Sequence, residues 1–280
     1  MAGILYLVGT PIGNLGDFSP RAAEILRTVD FIAAEDTRVT LKLLNHFDIK
    51  KPLVSYYEHN RASSGDKILA RLLSGESCAL VTDAGMPAVS DPGEDLVRIC
   101  AEAGVEIQAV PGPCSVVCAL ALSGLPTGRF TFEGVLSTAK KSRFEHLEEL
   151  RIEKRTMVFL EAPHKLNATL SDMLSVFGDR PITVSREITK LHEQTLRFTL
   201  SQAVEYFKVT QPRGEFVLCV RGAEEQVEPQ MELDGALAVV ERYRDSGLSL
   251  KDAAKRASEE TGYSKKVLYD ACVKGKQVNS

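Results

Sequence analysis

The chain has 280 residues, 44% hydrophobic and 26% charged, with a formal net charge of -4. That balance supports a folded core and excludes a mainly disordered chain. No apolar run reaches the roughly 20 residues that a membrane-spanning helix needs. The uncharged, strand-like opening lacks the basic start and small-residue cleavage site of a secretory signal, so a cytosolic location is the expectation. A chain of this length reads as two domains with a small appendage. The acidic balance argues against coating nucleic acid by bulk charge, and any RNA contact has to be a local patch. The six scattered cysteines read as buried free thiols rather than a zinc site, and no metal is expected.

Taken in chain order, residues 4–8 read as a buried strand, and Ser19-Pro20 signals a helix start. Strands follow at 31–34, 53–57, 78–82 and 105–110, with helices at 39–46, 68–73, 94–103 and 115–122 between and after them. Gly104 stands where a helix closes. The alternation predicts an α/β fold with a mostly parallel sheet covered on both faces. The Gly/Pro-rich stretch 123–128 is the best break in the chain. Beyond it, strands at 157–160, 182–185 and 216–220 and a helix at 165–176 predict a second α/β domain, with a cleft between the two. Residues 224–234 carry five acids and no base and read as a solvated linker. Ser249-Leu250-Lys251-Asp252 matches a capping box, Ala253, Ala254 and Ala257 form a stripe, Gly262 stops that helix and Ser264 can cap another. From 249 to 280 there are seven Lys/Arg against four Asp/Glu, so the tail reads as a small basic helix-turn-helix-like module or as a helical hairpin. The predicted division is 1–123, 124–224, a linker 225–234 and a helical tail 235–280.

The chemistry-bearing residues follow the strands of the first half. The loops open with Gly9-Thr10-Pro11-Ile12-Gly13, Glu35-Asp36-Thr37-Arg38, Glu58-His59-Asn60-Arg61, Asp83-Ala84-Gly85-Met86-Pro87 and Pro111-Gly112-Pro113-Cys114-Ser115. In an open parallel sheet that carboxyl edge carries the ligand crevice. The first loop spaces its glycines as G-x-x-x-G-x-x-G, not as a dinucleotide fingerprint, and no lysine follows a glycine loop in the manner of a phosphate-binding NTPase. Glu35 or Asp36 could take a proton from an acceptor and Arg38 could hold a phosphate. Acids in the first turn of a helix also stabilise its dipole without chemistry. His59 and Asn60 sit on the same edge.

Two groups lie further on: Glu161, His164 and Lys165, then Arg186, Glu187, Lys190 and Glu193. Each reads as a solvated face, an ion-pair network or an RNA contact. Candidate RNA patches are Lys140, Lys141 and Arg143, then Arg151, Lys154 and Arg155, and the tail. Tyr56, Tyr57 and Tyr263 are candidates for stacking on a base.

Several strings together resemble one family. They are Val8-Gly9-Thr10-Pro11-Ile12-Gly13-Asn14-Leu15-Gly16-Asp17, Ala34-Glu35-Asp36-Thr37-Arg38, Thr82-Asp83-Ala84-Gly85-Met86-Pro87 with Ser90-Asp91-Pro92-Gly93, Glu161-Ala162-Pro163-His164-Lys165, and Ser185-Arg186-Glu187-Ile188-Thr189-Lys190. Over essentially its whole length the chain resembles the ribosomal RNA small subunit methyltransferase I family, a branch of the tetrapyrrole methylase (class III methyltransferase) superfamily. A departure is Glu133-Gly134-Val135-Leu136-Ser137, where that family more often has a phenylalanine and a proline. The resemblance implies S-adenosyl-L-methionine-dependent 2'-O-methylation of a cytidine ribose in the decoding region of 16S ribosomal RNA. It also implies two α/β domains enclosing the donor, a homodimer, the small ribosomal subunit as partner, and neither membrane nor DNA. Carried over residue by residue, it places the donor against Pro11, Asp83, Ala84, Gly85, Met86, Pro87, Ser115 and Val116, with Leu160 and Ala162 covering it from the second domain. Catalysis is then assigned to Glu35, Asp36 and Arg38, and RNA contact to His59, Asn60, His164, Lys165, Arg186 and Lys190. A methyltransferase on a small tetrapyrrole-like acceptor and a non-catalytic ribosome assembly factor are the alternatives.

Overall fold

The computed structural model describes residues 2–224 and 232–278, which group into two compact units, 1–223 and 224–280. The first unit opens with β1 (Ile4–Val8), α1 (Pro20–Thr28), β2 (Phe31–Ala34), α2 (Thr37–His46), β3 (Leu53–Ser55), α3 (Arg61–Leu73), β4 (Cys78–Val81), α4 (Gly93–Glu102) and β5 (Glu106–Val110). Every pairing among these strands is parallel, in the order β3-β2-β4-β1-β5. The central β2 and β4 are buried along their whole length. This is why both read as unbroken apolar runs rather than alternating ones. Separate apolar clusters pack on the two faces, one around Leu26, Leu44 and Val81 and one around Leu72, Leu80 and Leu96. Ser19 caps α1 by accepting from the Ala22 amide, and Pro20 stands at its first turn, as the sequence signals. Because all five strands run the same way, their following loops gather on one edge.

The rest of the first unit comprises α5 (Ser115–Ser123), β6 (Phe130–Val135), α6 (Lys140–Glu149), β7 (Thr156–Glu161), α7 (Leu166–Phe177), β8 (Pro181–Arg186), β9 (Gln194–Thr199), α8 (Leu200–Val209) and β10 (Phe216–Val220). The second sheet runs β6-β7-β10-β8-β9, parallel only between β6 and β7. Helix α5 belongs to this sheet: Val116, Ala119 and Leu120 pack with Val158, Val217 and Cys219. The Thr183 hydroxyl donates to the Ser123 carbonyl at the end of α5. The stretch at 123–128 therefore does not separate the two cores. The chain changes sheet at Pro111-Gly112-Pro113, and Gly124, with φ +73, closes α5.

The second unit contains α9 (Leu233–Asp245), α10 (Leu250–Thr261) and α11 (Lys265–Val278). Ser249 caps α10, Gly262 closes it in the left-handed region and Ser264 accepts from the Val267 amide, as the sequence reading has it. Ala253, Ala254 and Ala257 form its core with Val240 and Leu268. Of the expected acidic linker, 225–231 lie outside the described residues, and Asp234 is already in the first turn of α9. Among the described residues no helix is long and apolar enough to cross a membrane.

Candidate active site

The loops after β1, β4 and β5 are joined by their backbones. Thr10 and Gly85 form a two-way bridge, Thr10 N to Gly85 O at 2.9 Å and Gly85 N to Thr10 O at 3.2 Å. The Thr10 hydroxyl donates to the Thr82 carbonyl at 3.1 Å. Gly85 holds φ +91, where an L side chain is strained. Gly9 and Gly112 are in direct backbone contact: a Cβ on Gly9 would lie 2.6 Å from the Gly112 Cα.

This joined edge faces the second sheet across a cavity of about 300 Å³. Ile12, Ala84 and Ser115 line one side, and Leu160, Ala162, Ile188 and Val217 the other. The β8–β9 turn closes over it. Lys190 Nζ bonds Glu187 at 3.0 Å and Glu215 at 3.1 Å. Its aliphatic stem packs on Gly13, where a Cβ would collide with it. Glu187 and Thr189 adopt φ +50 and +68 in this turn. Strained conformations of that kind persist where the surroundings over-determine them.

Of the ten residues that the sequence sets against a donor, Ala84, Ser115, Leu160 and Ala162 line this cavity. Gly85 supplies the backbone bridge beside it. Met86 packs against Gly9, where an added Cβ would come within 2.7 Å of its sulfur, and Pro87 and Val116 are buried supports. Pro11 and Asp83 line a second, adjoining cavity of about 350 Å³ between the β1 loop and α2.

The three catalytic candidates separate by role. Asp36 is the N-cap of α2, accepting from the Arg38 amide at 2.8 Å. Its carboxylate also takes Nε and Nη2 of Arg38, the latter at 2.6 Å. These bonds from Arg38 hold the Asp36 carboxyl down at about 2. Asp36 thus stabilises the fold once ionised, and that contribution is lost as pH falls from about 4 through about 2. Such a carboxylate is a poor proton acceptor, and the expectation of Asp36 as base gives way to a capping role. Arg38 is exposed but folded back on Asp36. Glu35 Oε2 accepts from the Thr82 hydroxyl at 2.6 Å and ties β2 to β4. Asp83 Oδ1 accepts from the Asp36 amide at 3.1 Å. Desolvation raises the Asp83 carboxyl above its ordinary value, and the neighbouring charges of Glu35 and Asp36 raise it further. Asp83, exposed at this edge and bonded to the first turn of α2, is the candidate proton acceptor that the geometry leaves open to a substrate.

Among the other predicted contacts, His59 is exposed, edge-on to Tyr57 at 6.1 Å, in an open pocket of about 520 Å³. Asn60 is occupied in the turn before α3, accepting from the Tyr57 amide and donating to the Ser55 carbonyl. Tyr56 is buried with its hydroxyl on the Pro92 carbonyl and offers no free ring face, while Tyr263 is half-buried against the second unit's core. Arg143 is buried against Asp172 at 2.6 Å, and Arg151 and Arg155 pair with Glu148 and Glu153. These are ion pairs rather than a basic patch. Arg186 has a buried Nε with no hydrogen-bond partner, while His164 is exposed.

Lys165 is structural. Its Nζ meets Glu161 at 3.1 Å and the Leu136 carbonyl at 2.9 Å, and the Glu161 side chain is only 1% exposed. Lys165→Met would leave that carboxylate buried without its cation. The expected result is a loss of about 3 kcal/mol in denaturant unfolding. A stability unchanged within error would mean that the pair is not what holds this corner.

Comparison with known proteins places these features. Residues 4–204 match the Tetrapyrrole (Corrin/Porphyrin) Methylases family. A protein of Synechocystis sp. named ribosomal RNA small subunit methyltransferase I is 47% identical over 268 residues, covering 95% of this chain and 96% of its own length. One of Bacillus subtilis with the same name is 44% identical, covering 96% and 94%. One of Thermotoga maritima, also so named, is 46% identical and matches along its entire length to 79% of this chain, leaving over a stretch about the size of the second unit. Among solved structures, the cobalt precorrin-4 methyltransferase CbiF superposes with a TM-score of 0.58 at 19% identity, covering 78% of this chain and 94% of that one. A Thermus thermophilus uroporphyrin-III C-methyltransferase complexed with S-adenosyl homocysteine gives 0.54 at 21%, covering 78% and 97%. These last two show the fold. The two sheets with the cavity between them, the residues matched and the identity along nearly the full length lead to one assignment: the chain belongs to the tetrapyrrole methylase family and, within it, to the ribosomal RNA small subunit methyltransferase I proteins.

Proposed function

We propose that this protein transfers a methyl group from S-adenosyl-L-methionine to the 2'-hydroxyl of a cytidine in 16S ribosomal RNA of the small subunit, in the cytoplasm and as a homodimer. The observation that carries the reading is the half-open cavity of about 300 Å³ between the two sheets, with the Asp83 carboxylate on the loop that lines it, in a chain of this family. Its size is at the lower end of the range for small-ligand sites. Its walls fit the donor's chemistry. They are mostly aliphatic, and Glu161, Glu187 and Glu215 outnumber the ammonium groups of Lys165 and Lys190 bonded to them. That surplus suits a cationic sulfonium. When bound, the donor supplies an electrophilic methyl group for in-line displacement.

The chain supplies the rest. Ala84, Ser115, Leu160 and Ala162 would hold the donor between the sheets, and Lys190 keeps the β8–β9 turn over it. Fixing donor and acceptor in line can supply several kcal/mol of the barrier. Asp83 takes the ribose proton, Glu35 fixes the strand ends that aim it, and Asp36 starts the helix beside it. His59, His164 and Arg186 remain available for RNA.

The helical unit adds RNA affinity through Lys251, Lys255, Lys265 and Lys266. Removing residues 232–280 is expected to weaken binding to small subunits and to flatten its salt dependence, by about 0.7–0.9 in log–log slope for each phosphate no longer neutralised. Identical binding at every salt concentration would discard that role. The substrate class is tested by offering labelled donor with small subunits and with uroporphyrinogen in separate reactions. Label in RNA and none in the porphyrinoid is the expected result; the reverse would make this a small-molecule enzyme.

A further inference from the structure

The second cavity, about 350 Å³ between the β1 loop and α2, is the feature that the donor site leaves unexplained. It adjoins the donor cavity along the loops after β1 and β4. Pro11 and Gly13 face it while Ile12 between them faces the donor side, and Asp83 faces it while Ala84 faces the donor side. The two cavities thus share the loops after β1 and β4, and the candidate base stands on that shared edge. Its far side is one stripe of α2, Val39, Leu43 and His46. The spacing of three and four puts these on one helix face. Val39 and, on the opposite loop, Leu15 are exposed at 38% and 43%, and both line this one cavity. Lys42 and His46 stand on the α2 side with exposed side chains.

We propose that this cavity is the acceptor's base subsite: a pyrimidine nucleotide turned out of its RNA stack lies with its base between Leu15 and Val39, its ribose hydroxyl over Asp83 and a flanking phosphate at Lys42 and His46. The inference rests on the RNA ribose reading above and deepens it. A flipped base is gripped by apolar faces, and its backbone by cations. This cavity offers both. The neighbouring pocket of about 520 Å³ beyond β3 sets four carboxylates, Glu35, Glu58, Asp91 and Glu94, against Arg61 and His59, and so suits a polyanion less well. The geometry also satisfies the reaction's balance. The hydroxyl oxygen forms the new bond to the methyl carbon, the carbon–sulfur bond breaks with its electrons going to sulfur, and the hydroxyl proton goes to the Asp83 carboxylate.

The test uses the full chain, small ribosomal subunits lacking the modification, and S-adenosyl homocysteine as a donor-site probe. Val39→Trp and, separately, Leu15→Trp would fill the subsite. Each is expected to lower kcat/KM for transfer about 100-fold or more, with S-adenosyl homocysteine affinity within about twofold of wild type as the sign that the cleft is folded. Lys42→Gln is expected to raise KM for subunits, leave kcat in place and reduce the salt slope of binding by about 1. Glu58→Trp, on the rim of the other pocket, is expected to transfer as wild type does. Full transfer by both tryptophan variants overturns the proposal. So does loss of donor affinity in them, which would give the cavity to the donor, and so does loss of transfer in Glu58→Trp alone. If the wild-type protein puts no label on any ribose, the underlying reading has failed instead; if it does and the tryptophan variants match it, only the subsite has failed.

Discussion

Gly9→Ala is expected to abolish most of the protein's affinity for its methyl donor. The added methyl would lie 2.6 Å from the Gly112 Cα, 2.8 Å from the Gly112 amide nitrogen and 2.7 Å from the Met86 sulfur. The first two are backbone atoms and cannot rotate away. The contact joins the loop after β1 to the Pro-Gly-Pro turn after β5, and that turn leads into Ser115 on the donor cavity wall. Overpacking at such a point costs about 1–3 kcal/mol, which as lost affinity corresponds to about 5- to 150-fold. Gly128→Ala, with nothing within 4 Å of its new methyl, is the control. Calorimetry with S-adenosyl homocysteine reads both, and equal affinities would remove the Gly9–Gly112 contact from the account. Gly85 is a less clean probe, because its φ of +91 strains any substitution whatever the space around it.

Asp83→Asn is expected to be the most damaging change to turnover, about 100- to 10,000-fold, the usual contribution of a positioned proton acceptor. The asparagine oxygen can still accept from the Asp36 amide, so the strand edge keeps its geometry and donor affinity stays close to wild type. The pH dependence gives a second check. The folded Asp83 carboxyl is raised, by desolvation first and by Glu35 and Asp36 next. Activity should therefore fall on acidification at a pH above the ordinary aspartate range, and that limb should vanish in Asp83→Asn. Stability moves the other way. A carboxyl raised in the fold favours folding in its protonated form, and that advantage is lost as pH rises through its folded value. At neutral pH Asp83→Asn should melt no lower than wild type. A variant that melts lower and loses donor affinity would make Asp83 a structural residue.

Much of the first sheet was legible because its strands are short and bounded by turn residues, and the central β2 and β4 are wholly buried apolar runs. The carboxyl edge followed from that, and so did the loops that carry the chemistry. Two strands of the second sheet were not legible. β6 has Gly134 at a bulge with φ +65 and an exposed Val135, and β9 mixes Gln194, Thr195 and Arg197 with its apolar residues. Helix α8 did leave a signal that went unread: Thr199 and Gln202 form a capping box. Within the site, the sequence named residues of the strand edge but not the cavity that each one lines. That Asp83 and Ala84 face different cavities depends on the bridge between Thr10 and Gly85, 75 positions apart. The capping role of Asp36 depends on Arg38 folding back on it. Arg143 reads as basic surface until Asp172, 29 positions away, is seen beside it in the core. The α2 face of the second cavity carries no motif, and only the helix's position against the β1 loop shows it.

The most direct measurement is transfer of isotope-labelled methyl from S-adenosyl-L-methionine to small subunits from cells lacking the gene, followed by nuclease digestion and mass spectrometry of the nucleosides. The account predicts label on the ribose of one cytidine of 16S ribosomal RNA, present with the wild-type protein and absent with Asp83→Asn. Label on a base carbon or nitrogen, or transfer undiminished in Asp83→Asn, would contradict it.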